Sequence, residues 1–212
     1  MTLTSGTELS SGLTNLINAL LSIYFLFRLI QMDKEKKGKL LWAITFVVFI
    51  ISSLVGAFIH GIELKKETKK ILWAFLNINL CLTIATYSIC IWYETYGLKI
   101  TRILIPIYTI LAIGIGLYNN FIAGSYTSFV IFTIINLFLL MIILIINIRK
   151  KHYLVYFLLA IIVFTIGSYL QTIYTLRLDL ILVLDHNGIY HLMVMLFVIL
   201  NYIGIKRSIN NS

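Results

Sequence analysis

Seven long runs of Leu, Ile, Phe and Val divide the chain, and no other feature of the sequence limits the fold as strongly. They cover roughly 13–31, 40–61, 71–92, 103–117, 125–148, 153–174 and 187–205. Each is close to the ~20 apolar residues that an α-helix needs to cross a hydrocarbon core of about 30 Å. With 60% of its 212 residues hydrophobic and 12% charged, the chain carries more apolar surface than a soluble domain of this size could bury. An outer-membrane barrel would instead alternate polar and apolar residues in segments of roughly ten. The sequence therefore predicts an all-α integral membrane protein, a seven-transmembrane-helix bundle forming one domain over 1–212. The first sixteen residues lack the positive n-region and small-residue cleavage site of a signal peptide, so the first run is expected to stay as a span.

Loop charge sets the expected orientation, because Lys and Arg concentrate on the cytoplasmic side. An outside N-terminus and a cytoplasmic C-terminus place twelve of the 17 Lys and Arg inside, among them Lys34, Lys36, Lys37, Arg149, Lys150 and Lys151. The lysines at 65, 66, 69 and 70 fall on the other side, interleaved with Glu63 and Glu67. This clustering in short loops explains the excess of 17 basic over 8 acidic residues as topology. No basic stripe with interleaved aromatics is present, which excludes nucleic acid as a partner. Cys81 and Cys90 lie nine positions apart in one run. On a helix that separates them by roughly 13 Å, too far for a disulfide.

Ionisable side chains at the mouths of membrane segments mark functional sites by default. In this topology His60, at the end of the second span, and His186 and His191, at the start of the seventh, fall at one membrane face. His152 falls at the other, beside Arg149 to Lys151. Neutral imidazole is a good zinc ligand, and three histidines with an open position make bound water a nucleophile near neutral pH. His186 and His191 are offset by about 140° on a helix, so His186 can share a metal only if the seventh helix starts after it. Asp185 and Asn187 are both suitable N-cap residues. Ser53, Gly56 and His60 share one face of the second helix. The small residues there would equally admit a neighbouring helix.

Two polar stripes recur at helical spacing, Asn79, Thr83 and Thr86 on the third span and Thr165, Ser168 and Thr172 on the sixth. Hydrogen bonding between helices is their expected role, with the lining of a lipid headgroup site as the alternative. Trp42, Trp73, Trp92, Tyr93 and Tyr190 lie near span ends and are expected as interfacial anchors.

The stretch Ser52-Ser-Leu-Val-Gly-Ala-Phe-Ile-His60 together with Asn187-Gly-Ile-Tyr-His191 resembles the CREST superfamily of seven-helix membrane proteins. That group includes the alkaline ceramidases and the progestin and adiponectin receptor family. Its members carry a serine and a histidine on the second helix and a His-x-x-x-His pair on the seventh. Here Asn187 stands at the first position of that pair, with His186 beside it. The resemblance implies a Zn2+ held by His60, His186 and His191 and hydrolysis of a membrane-lipid amide or ester. In that scheme Ser53 and Asp185 are the candidate catalytic residues, with Glu63 a second carboxylate able to move a proton. The expected location is the cytoplasmic (inner) membrane of a bacterium, with membrane lipid as the partner. The alternative is a non-enzymatic membrane sensor, ligand-binding protein or scaffold whose histidines are structural.

Overall fold

A computed structural model describes residues 2–32, 37–179 and 183–210. Lys34 and Lys36, used above to orient the chain, lie outside these residues. The described chain forms seven α-helices: α1 (Gly6–Ile30), α2 (Lys37–Gly61), α3 (Lys66–Tyr96), α4 (Leu98–Tyr118), α5 (Thr127–Asn147), α6 (Leu154–Gln171) and α7 (His186–Asn210). Among the described residues, all seven are long and apolar enough to cross a membrane, as in a multi-pass membrane protein. Helix formation follows from the solvent, since in hydrocarbon each backbone N–H and C=O must be satisfied within its own segment. On α5, Ile134, Ile135, Phe138, Ile145 and Ile146 are each more than half exposed, an outer surface fit for lipid and not for water.

Several helices overrun the apolar runs. Helix α1 begins seven positions before the expected start at 13, α3 covers 66–96 where 71–92 was expected, and α7 continues to Asn210. Lys and Glu are good helix formers, so a charged residue ends the buried part of a span without ending the helix. Pro106 lies inside α4, which starts at Leu98. A π-helix, Asn119–Ala123, continues α4. Gly97 alone joins α3 to α4, with φ +79°, a conformation that favours glycine. Two short antiparallel strands, β1 (Arg177–Asp179) and β2 (Val183–Asp185), precede α7 and were not expected.

Helices α1 and α2 pack along each other, as do α6 and α7, while α3 lies between α2 and α4 and α1 also touches α7. The α1–α2 crossing depends on glycine. A Cβ built on Gly12 falls 2.7 Å from the Cα of Gly61. Gly12→Val should therefore force the helices apart, at about 1–3 kcal/mol for an overpacked contact. The expected result is a lowered thermal midpoint, with Gly114→Val, whose Cβ meets nothing within 4 Å, unchanged.

Two of the expected anchors pack into the bundle. Trp42 is 2% exposed, stacks on Phe157 at 5.3 Å and donates to Glu94 at 3.0 Å. Tyr190 packs against Phe164 at 6.0 Å. The stripe on α3 bonds across helices as expected, Asn79 donating to Ser52 at 2.6 Å while Ser52 and Thr83 lie 3.2 Å apart. The stripe on the sixth span does not. Thr165 and Ser168 donate to carbonyls one turn back on their own helix, Ile161 and Phe164. Both cysteines are buried and unpaired with each other.

Candidate functional site

Helices α1, α2, α3, α5, α6 and α7 enclose a cavity of about 610 Å³. Its wall follows α2 from His60 to Thr45 and α7 from His186 to Asn201, fifteen residues on each helix. At 1.5 Å per residue that is about 22 Å, long enough for an extended alkyl chain. Phe46, Phe49, Leu76, Leu80, Phe164 and Val194 supply apolar wall between the ends. Tyr126 and Val130 on the α5 side and Thr172 and Tyr174 beyond α6 line the cavity and are themselves exposed. The cavity thus reaches the surface between the start of α5 and the end of α6.

The three histidines singled out in the sequence all line this one cavity, at the same end. His60 is in the last turn of α2, with Nδ1 2.8 Å from Oε2 of Glu8 on α1 and its ring edge-on to Trp73 at 5.6 Å. The chain before α1 straps this turn down. Thr4 Oγ1 donates to the His60 carbonyl at 2.6 Å, and Leu3 bridges Ile62. His191 is on the second turn of α7, where its Nε2 accepts from Asn15 Nδ2 at 2.9 Å and its carbonyl accepts from Asn18 Nδ2 at 3.1 Å. With Nε2 accepting, the ring proton sits on Nδ1.

His186 opens α7. The helix therefore does not start after it, and the condition for His186 to turn toward a metal shared with His191 is not met. Its ring lies against Tyr174 at 5.0 Å, and its Nδ1 is buried without a hydrogen-bond partner. Asp185 caps the helix, its Oδ1 accepting from the backbone N–H groups of Asn187 and Gly188, both at 3.0 Å. That use of the carboxylate is the N-cap role, not a proton shuttle. Asn187 accepts from Gln171 of α6 at 3.0 Å. Glu63 is taken up by the N-terminal strap, where it accepts from the Thr2 hydroxyl.

Zinc requires its donors to converge. Among the described residues no group of three or more His, Cys, Asp and Glu side chains comes together to hold a metal ion. One nitrogen each of His60 and His191 is engaged by a side chain of α1. The residues present do not fit the zinc that the resemblance implies. Ser53 is buried and lines the cavity, but it precedes His60 by seven positions on one helix. That is about 10 Å of rise, beyond the reach of a serine–histidine pair.

Sequence reasoning missed the contribution of α1. Glu8, Asn15 and Asn18 hold or adjoin the two histidines, and they recur at helical spacing together with Ser11 and Ser22. The stripe was readable, but starting the first span at 13 left Glu8 in a supposed polar tail. Asn15 also occupies the space beside Gly56, where a Cβ would come within 3.1 Å of its Oδ1.

At the far end Trp42, Thr45, Tyr87, Phe197 and Asn201 close the cavity. Asn201 Nδ2 donates to its own helix at the Phe197 carbonyl, 2.8 Å away. Its Oδ1 and the Tyr87 hydroxyl are buried without a hydrogen-bond partner.

A family model, described as a family of unknown function (DUF6962), matches residues 10–210. No curated protein and no solved structure matches the chain. Nothing in these comparisons links it to the CREST superfamily.

Proposed function

The chain belongs to that family, whose function is unknown, and from the cavity we propose that it binds an alkyl-chain amphiphile taken from the surrounding membrane. The carrying observation is one elongated cavity with polar groups at the histidine end, apolar walls along its length and exposed lining residues where it meets the surface between the start of α5 and the end of α6. Ligand sites of this kind are mostly apolar with a few placed polar groups that fix orientation. The headgroup lies among His60, His186, His191, Gln171 and Asn187, and the tail follows α2 and α7 inward. The orientation inferred from loop charge puts this headgroup end outside. Trp73 and Trp42 line opposite ends of the cavity and report occupancy by fluorescence. Dodecanol titrated into the protein in phosphatidylcholine nanodiscs should change their emission saturably. A change that rises linearly with dodecanol, as simple partitioning gives, would sink the reading.

One observation favours a second reading, in which the bound amphiphile is also hydrolysed. Glu8 accepting the Nδ1 proton of His60 leaves Nε2 as the basic nitrogen. Such a pair can take a proton from water as its oxygen adds to an ester or amide carbonyl. It then returns the proton to the leaving alcohol or amine as the C–O or C–N bond breaks. No zinc is involved in this scheme. With p-nitrophenyl dodecanoate as substrate, His60→Gln should lower the rate by about 10²- to 10³-fold, and a chelator should leave it unchanged. A rate abolished by chelation would restore the zinc scheme and refute this one.

A further inference from the structure

The polar groups at the closed end of the cavity have no work in binding a simple tail. Asn201 and Tyr87 are each 3% exposed, and both line the cavity between Trp42 and Phe197. The Tyr87 hydroxyl and the Asn201 side chain are close enough to interact, short of full hydrogen-bond geometry, so each keeps unused capacity for a further partner. Burying an amide oxygen and a phenol without partners is costly, more so where no water competes. An all-apolar floor would seat a hydrocarbon terminus better. A hydroxyl, in contrast, is donor and acceptor at once. Placed beside the pair, it can donate to Asn201 Oδ1 and accept from Tyr87.

We infer that the cavity holds a second recognition point, formed by Tyr87 and Asn201, for a hydroxyl or similar donor–acceptor group on the tail of the bound amphiphile. His191 and Asn201 are ten residues apart on α7, so the two polar groups of the ligand are separated by about 15 Å. The ligand is thus a chain polar at both ends and apolar between, or a lipid tail hydroxylated far from its head. This inference rests on the amphiphile-binding reading and adds the ligand class to it.

Dodecanol and α,ω-dodecanediol differ only in the second hydroxyl, and both are compared in phosphatidylcholine nanodiscs by tryptophan emission. The wild type should bind the diol about fivefold tighter, the worth of roughly one buried hydrogen bond. Tyr87→Phe and Asn201→Leu should each erase that preference and leave dodecanol binding in place. The wild-type comparison needs no variant, so a poorly folding Asn201→Leu does not blunt the test. Equal affinity for the two alcohols in the wild type would overturn the second recognition point while leaving the amphiphile reading standing. Saturable binding of neither would overturn both.

Discussion

Ser53→Phe is expected to abolish saturable dodecanol binding, weakening it by at least about tenfold, while the protein stays folded. Ser53 is 4% exposed and lines the cavity near mid-length on α2. A phenyl ring placed there narrows the cavity at mid-length and obstructs an alkyl chain running past it. Because Ser53 is buried, the larger ring costs about 1–3 kcal/mol by overpacking, and the thermal midpoint should fall by several degrees with the protein still folded at the assay temperature. Tryptophan emission against dodecanol gives the affinity, and the thermal midpoint of the same sample gives the fold. Wild-type affinity in Ser53→Phe would mean that the ligand sits elsewhere.

Glu94→Ala is expected to have the largest effect on stability. The Glu94 side chain is 3% exposed near the end of α3, where Oε1 accepts from Trp42 Nε1 of α2 at 3.0 Å and Oε2 accepts from the Ser208 hydroxyl of α7. Lys151 donates to the Glu94 and Thr95 carbonyls at 2.6 and 3.0 Å, which adds the segment before α6 to the same knot. Removing the carboxylate takes away the acceptor of the buried Trp42 indole N–H, which costs about 1–3 kcal/mol, and breaks the link to Ser208. For a chain of this length the midpoint should fall by several degrees, on the order of 5–10 °C. Glu94→Gln, which keeps one acceptor, should fall between alanine and wild type. A midpoint unchanged in Glu94→Ala would show that the three helices are held together by apolar packing alone.

The sixth span and the second illustrate how unevenly the site could be read from the chain. His60 and His191 were placed at one end of the bundle from span order alone, because each helix that crosses reverses the direction of the next. The same logic said nothing about rotation. Thr165 and Ser168 keep helical spacing, yet their helix turns them back on its own carbonyls. Asp185 had two plausible uses, and the backbone N–H groups of Asn187 and Gly188 took it. Glu8 and Glu94 were passed over for one reason: span limits were drawn at the ends of apolar runs, and both carboxylates lie just beyond them on helices that continue.

The sequence by itself determined the number of helices, their order and their apolar character, since a bilayer leaves an apolar run of about twenty residues few structures other than an internally bonded helix. It also put His60, His186 and His191 at one end of the bundle and a polar stripe, Asn79, Thr83 and Thr86, on the third helix. Only the tertiary structure decided the partners: Glu8 for His60, Asn15 for His191, Glu94 for Trp42 and Ser208. Those pairings depend on how each helix is rotated and where it crosses its neighbours, and packing between many side chains sets both. The same packing kept the three histidines from converging as metal ligands and left between the helices the cavity on which the proposed function rests.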